Sequence, residues 1–285
     1  MNSIKTRIRN SMAQGGYGFY RLLEEHSQRN GGYFEFKLLD KNYSFNSIVR
    51  NTPILVMGDR RLEYPWIKYN HNESVLKETV EVSYIQPATQ QTEKIITKIS
   101  YIKATTSQLV VLVSFGRLSS IPNEDVEKYY SKTLQALKQV GNIFIIVSAP
   151  ESISSDWGQI ASDNLAIYSF IQQDKILPYC DFMINHGGLN SISECRKHLV
   201  PVLVLPFYRK ADHFSNAAKV IFHKIGVSAD LRKTSVDSLV QLVEFMVAHH
   251  IQLADNISVL NRIVFDDTYI PKPVTCGKFV KALLD

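Results

Sequence analysis

Between Asp181 and Asn216 the chain reads DFMINHGGLNSISECRKHLVPVLVLPFYRKADHFSN. An apolar run ends at His186, Gly187-Gly188 turn the chain, and Asn190-Ser191 open a helical pattern. Glycines at such a junction let a ligand come close to the backbone. The first turn of the helix offers unpaired N–H groups at the positive end of its dipole. The chemistry of this set is anion binding, with the His186 imidazole and the Ser191 hydroxyl as further donors to a phosphate. Ser191-x-x-Glu194 also spells a capping box, in which the two side chains only close the helix end. Gly187-Gly188 would then be no more than a tight turn. The residues alone leave both readings open.

The elements that must position these residues alternate in type. Leu109–Ser114 (LVVLVS) is a continuous apolar run bounded by Phe115-Gly116, as expected of a strand buried on both faces. A helix is expected from an N-cap at Asn123 to a stop at Gly141, with Glu124 and Asp125 suiting its positive end. Strands follow at Ile143–Ser148, Leu165–Phe170, Asp181–Asn185, Val202–Leu205 and Val227–Ala229. Lys175–Tyr179 forms a short segment between two of them. Helices are expected over Ser191–His198, Phe214–Ile225 and Ser235–Ala248, the last closed by His249-His250. Strand and helix in turn over short connections predict a parallel, doubly wound α/β sheet whose ligand lies at the carboxyl ends of the strands. Before residue 105 the pattern weakens. Pro53–Gly58 reads as one buried strand, Phe19–Ser27 as helical, and Tyr84–Lys103 as a linker or exposed crossover. Gly15-Gly16-x-Gly18 follows no strand and reads as a turn.

Composition excludes several classes. With 285 residues, 45% hydrophobic and 21% charged, the chain is an ordinary globular one that needs no disulfide scaffold. No apolar run approaches the ~20 residues of a membrane span. A net charge of +5 without a dense basic stripe argues against nucleic acid and suits an anionic small molecule or membrane surface. Cys180, Cys195 and Cys276 form no CxxC pair and point to a reducing compartment. The opening MNSIKTRIRNSMAQGG has no apolar core and reads as no secretory signal, so a cytoplasmic protein is expected, with peripheral membrane association compatible. No His/Cys/Asp set has metal-ligand spacing, and His198 and His223 read as surface residues.

VVLVSFG (Val110–Gly116), HGGLNSISE (His186–Glu194), Val200-Pro201, Pro206 and DHFSNAAKV (Asp212–Val220) occur in this order. The set resembles the donor-binding half of the GT-B nucleotide-sugar glycosyltransferases, above all the UDP-glucuronosyl/UDP-glucosyl and macrolide-type enzymes. The resemblance runs from Val110 to Val243 and extends more weakly to Pro53–Pro65, which is similar to the last strand of the family's acceptor domain. It implies a GT-B fold with one complete Rossmann-like donor domain over 106–285, and a partial acceptor-side segment with linker over 1–105. It also implies roles. His186 and the Gly187, Gly188, Asn190 and Ser191 turn would hold the diphosphate, beside Gly116 and Arg117. Glu194 would accept from the ribose hydroxyls, as suits a carboxylate facing a diol. Phe170 stands where the family stacks a tryptophan on the base, and Gln173 at the family's glutamine. Asp212 and His213 would lie at the sugar, and Asn216 would support the loop.

The departures are specific. The family's W-x-P-Q reads Phe170-Ile171-Gln172-Gln173, its Asp-Gln pair reads Asp212-His213 after a longer loop, and Leu199 replaces a glycine. Arg117 replaces a small serine or threonine. The resemblance implies metal-independent, inverting transfer from a UDP-sugar co-substrate to an unassigned small-molecule or lipid acceptor. No residue maps onto the family's acceptor-side histidine base; His26 and His71 do not, so the catalytic base is unassigned. A non-catalytic donor-binding subunit with a separate acceptor-binding chain, a truncated product, and a nucleotide-sugar epimerase of the same fold are the alternatives.

Overall fold

The computed structural model describes residues 54–56, 60–62, 77–79, 87–116, 123–157, 162–208 and 212–263. The expected helix at Phe19–Ser27 and the Gly15–Gly18 turn lie outside them. The chain divides into two compact units, one of Met1–Met57, Lys68–Glu81 and Tyr269–Asp285, the other of Gly58–Ile67 and Val82–Thr268. In the first, strands β1 (Ile54–Val56) and β2 (Lys77–Thr79) pair in parallel. The Ile54–Val56 strand falls within the apolar run expected there.

The second unit is built on a six-stranded sheet. Its strands are β3 (Leu109–Ser114), β4 (Ile143–Ser148), β5 (Leu165–Tyr168), β6 (Phe182–Asn185), β7 (Val202–Val204) and β8 (Gly226–Ser228). Their order across the sheet is β5-β4-β3-β6-β7-β8, and every pairing is parallel. The helices are α1 (Gln90–Thr105), α2 (Asn123–Leu137), α3 (Glu151–Trp157), α4 (Gln173–Ile176), α5 (Leu189–Lys197), α6 (His213–Phe222) and α7 (Val236–Asn261). Alternate residues of β3 feed opposite core layers. Val111 and Val113 pack with Tyr130, Leu134 and Leu137 of α2, and with Leu239 and Val243 of α7. Val110 and Leu112 pack with Ile95 and Ile99 of α1, Ile192 of α5, and Ala217 and Val220 of α6. Burial on both faces is why these strands carry continuous apolar runs.

Two expectations are corrected. Tyr84–Lys103 holds no extended linker over its second half: α1 runs from a Thr89 N-cap whose hydroxyl accepts from Thr92 N–H. Ile95, Ile99 and Ile102, spaced four and three apart, form its buried face. The helix expected to stop at Ala248 continues to Asn261, so His249 and His250 sit mid-helix and close nothing. No glycine or proline interrupts it. Leu239, Val243, Met246 and Leu253 are buried with the core on one face of the sheet, and its last turns bury Ile257 and Leu260 with that on the other. Among the described residues no helix is long and apolar enough to cross a membrane.

The strand order reverses between β3 and β6: from β3 the chain proceeds outward to β4 and β5, then returns to add β6 on the opposite side. That reversal leaves a crevice beyond the carboxyl ends of β3 and β6, where ligands bind in open α/β sheets.

Candidate functional site

Phe115-Gly116 leave β3 and His186-Gly187-Gly188 leave β6, so both glycine turns open on this crevice. The His186 ring lies between them. A Cβ on Gly116 would stand 2.9 Å from its Cε1, and one on Gly188 2.9 Å from its Nε2. Two glycines thus make room for one imidazole. Across from it lies the ring of His213, edge to face, with centroids 4.4 Å apart at 79°. Burial, then the neighbouring His213, push the His186 imidazole down to about 4, against the opposing pulls of Asp212 and the Ser114 backbone. Burial lowers His213 as well. At neutral pH both rings are uncharged, so any hydrogen bond that His186 gives is that of a neutral N–H.

The turn is held from below. Asn185 accepts the Gly187 N–H on its side-chain oxygen at 2.8 Å, and Gly187 takes φ +99°. A Cβ on Gly187 would lie 2.7 Å from the His213 carbonyl oxygen, so only glycine lets the turn touch the start of α6. Asn216 completes the junction by donating to the Gly187 carbonyl at 2.9 Å and to Asp212 Oδ2 at 3.0 Å.

The capping-box alternative does not hold. The N-cap of α5 is Gly188, with no side-chain cap, and Ser191 lies inside the first turn. Glu194 accepts from Gln173 Nε2 at 2.5 Å and so faces α4, away from the N-cap. The N-terminus of α5 therefore points its N–H groups past His186 without a side chain closing it. Burial raises the Glu194 carboxyl above the usual carboxylate range, against the Gln173 hydrogen bond and with Asp174 adding to the rise.

Phe170, just past β5, is 51% exposed, while the next residue, Ile171, is buried in the core. An exposed aromatic face three residues before Gln173 is one on which a planar ring can stack. Asp212 is exposed at the head of α6, whereas His213 is buried against His186. The structure thus gathers Gly116, His186, Gly187, Gly188, His213 and Asn216 in direct contact. Asn190 and Ser191 lie in the first turn of α5, and Gln173 with Glu194 forms a second contacting set. Arg117 lies outside the described residues.

Two positioning residues carried no sequence signal as such. Tyr130 of α2 is fully buried; its hydroxyl accepts from Phe115 N–H at 2.9 Å and donates to the Ser148 carbonyl at 2.6 Å. It therefore braces the ends of β3 and β4. Asn185 stood one place before the histidine but looked like one more strand residue. Cys180 and Cys195 are free and buried, and burial raises both thiols. Among the described residues no three His, Cys, Asp or Glu side chains are placed to share a metal ion.

A family profile described as "UDP-glucoronosyl and UDP-glucosyl transferase" matches residues 35–275. UDP-glucuronosyltransferase 3A1 of Bos taurus is 26% identical over 164 residues, which are 54% of this chain; the match spans 28% of that protein's length. Among solved structures, the glycotransferase of kitacinnamycin is 17% identical with TM-score 0.61, covering 92% of this chain and 63% of that one. Glycosyltransferase VinC, in complex with dTDP, is 14% identical with TM-score 0.58, covering 94% of this chain and 64% of that one. These likenesses show the fold, the α/β architecture of GT-B glycosyltransferases.

Proposed function

Since the chain belongs to the UDP-glucuronosyl and UDP-glucosyl transferase family, we propose that it binds a UDP-sugar and transfers the sugar to an acceptor hydroxyl, with inversion and without a metal. The observation that carries this reading is the uncapped N-terminus of α5, opening beside the neutral His186 at the switch point of the sheet. A nucleoside diphosphate fits that arrangement. Its phosphate oxygens would accept from the α5 N–H groups, Asn190, Ser191 and His186. Glu194 would take the ribose hydroxyls, and the base would lie on Phe170.

As the acceptor hydroxyl gives up its proton to a base or water on the acceptor side and its oxygen attacks the anomeric carbon, the glycosidic C–O bond to the diphosphate breaks and negative charge collects on the leaving UDP. Donors fixed before the reaction stabilise that charge more in the transition state than in the ground state. The dipole of α5 and the N–H groups of its first turn supply this without any proton transfer. Asp212, exposed beside the turn, would accept from sugar hydroxyls. His213, turned inward on His186, leaves the sugar to Asp212.

The test is release of UDP from UDP-glucose, UDP-glucuronate and UDP-N-acetylglucosamine, with and without a panel of phenolic, steroid and lipid alcohols, in the presence of EDTA. Acceptor-dependent release supports the transferase. Conversion of donor without acceptor would indicate an epimerase instead, and binding without any turnover would indicate a donor-binding subunit.

A further inference from the structure

The loop that presents Phe170 is held by a contact that none of the expected donor-binding roles includes. Gln172 follows the exposed Phe170 and the buried Ile171. Its side-chain oxygen accepts the Thr89 N–H at 2.8 Å, and its side-chain nitrogen donates to the Pro87 carbonyl at 3.1 Å. One amide group therefore pairs with the backbone of another segment in both directions, as a neighbouring strand would. Gln91 returns the contact by donating to the Phe170 carbonyl at 3.3 Å. These three bonds span 79 to 85 residues of sequence. The clasp joins the loop to the residues that begin α1, where Thr89 is the N-cap. The α1 side is anchored in turn, because Ile95 and Ile99 of that helix lie in the same core cluster as Ile171.

We propose that Gln172 is a positioning residue for nucleobase recognition: by clasping Pro87 and Thr89 it fixes the loop on which Phe170 offers its face to the base. The loop is thereby held at three successive residues. Ile171 fixes it inward, Gln172 fixes it sideways to α1, and Gln173 fixes it to Glu194. With these three directions taken, Phe170 is left pointing outward. The role rests on the donor-binding reading above, and it singles out the base half of the ligand. The diphosphate turn at His186–Ser191 has its own supports in Asn185 and Asn216.

The experiment measures UDP and pyrophosphate binding by calorimetry for the wild type, Gln172→Ala, Phe170→Ala and the double variant. Amide hydrogen exchange of the unliganded wild type and Gln172→Ala accompanies it. Gln172→Ala should weaken UDP about three- to tenfold, the factor for one or two partly exposed hydrogen bonds, and leave pyrophosphate unchanged. In the Phe170→Ala background it should have no further effect on UDP, since it acts through that ring. Exchange at Thr89 and across residues 169–173 should quicken. UDP affinity unaltered by Gln172→Ala overturns the inference alone. Equal losses for UDP and pyrophosphate overturn it too, by showing a general lesion. Absence of UDP binding by the folded wild type overturns the functional reading and this role with it.

Discussion

Gly188→Ala tests the packing around the His186 ring directly. Gly188 has φ −64° and ψ 130°, a conformation open to any residue, so alanine brings no backbone strain. The new methyl carbon, however, would sit 2.9 Å from His186 Nε2 and 3.1 Å from Cε1. Ordinary contact is about 3.5 Å, so the ring must retreat by roughly 0.6 Å. It has little room to do so. Gly116 also stands close against its Cε1, and the His213 ring packs at 4.4 Å. Overpacking of this kind costs about 1–3 kcal/mol. Displacing the imidazole from the diphosphate should weaken UDP by about tenfold or more, since ~1.4 kcal/mol is a factor of ten. Calorimetry and thermal unfolding of the same samples give both quantities. In a His186→Ala background the methyl group meets no ring, and Gly188→Ala should then change UDP affinity little. A Gly188→Ala protein that melts and binds UDP like the wild type would refute the placement of His186 between the two glycines.

Three other changes probe different parts of the structure. Leu199 is 43% exposed and sits at φ 60°, where a side chain costs about 1 kcal/mol or more. Leu199→Gly should therefore raise the melting temperature by roughly 1–2 °C, after about half of that gain is offset by glycine's greater freedom in the unfolded chain; a lower value would contradict the strain. Phe170→Ala should lose about 1–3 kcal/mol of UDP affinity, the range for base stacking on an aromatic ring, while pyrophosphate binding stays the same. His186, held down to about 4, is easier to protonate in the unfolded chain, whose imidazole titrates near 6.5. Its contribution is full above ~6.5 and lost as pH falls toward 4, on the order of 3 kcal/mol; denaturant titrations should show His186→Gln with a shallower acid dependence than the wild type.

The sheet was legible because its strands are buried on both faces. Leu109–Ser114 and Ile143–Ser148 have the bounds that their apolar runs imply. Helix ends were harder. The twin histidines at 249–250 imitate a C-terminal signal, but packing of Leu253, Ile257 and Leu260 carries α7 past them. In α1, the polar residues between Ile95, Ile99 and Ile102 hid the period, and only the sheet beneath shows why the helix is there. At the site, the motif residues stood out by type and spacing. Whether Ser191 capped a helix did not, because a capping box depends on where the first turn begins, and Gly188 begins it. The supports contributed by Tyr130 and Gln172 are long-range contacts that no local pattern encodes. The inward turn of His213 is likewise a matter of packing, decided by the space that Gly187 leaves beside it.

The most direct measurement is titration of the folded chain with UDP in EDTA by isothermal calorimetry, with pyrophosphate and uridine as partial ligands. With the roles proposed above for α5, His186, Glu194 and Phe170, the chain should bind one UDP, more tightly than either fragment and without a divalent ion. A folded chain that gives no heat with UDP, or that needs magnesium to bind it, would contradict the donor site placed here.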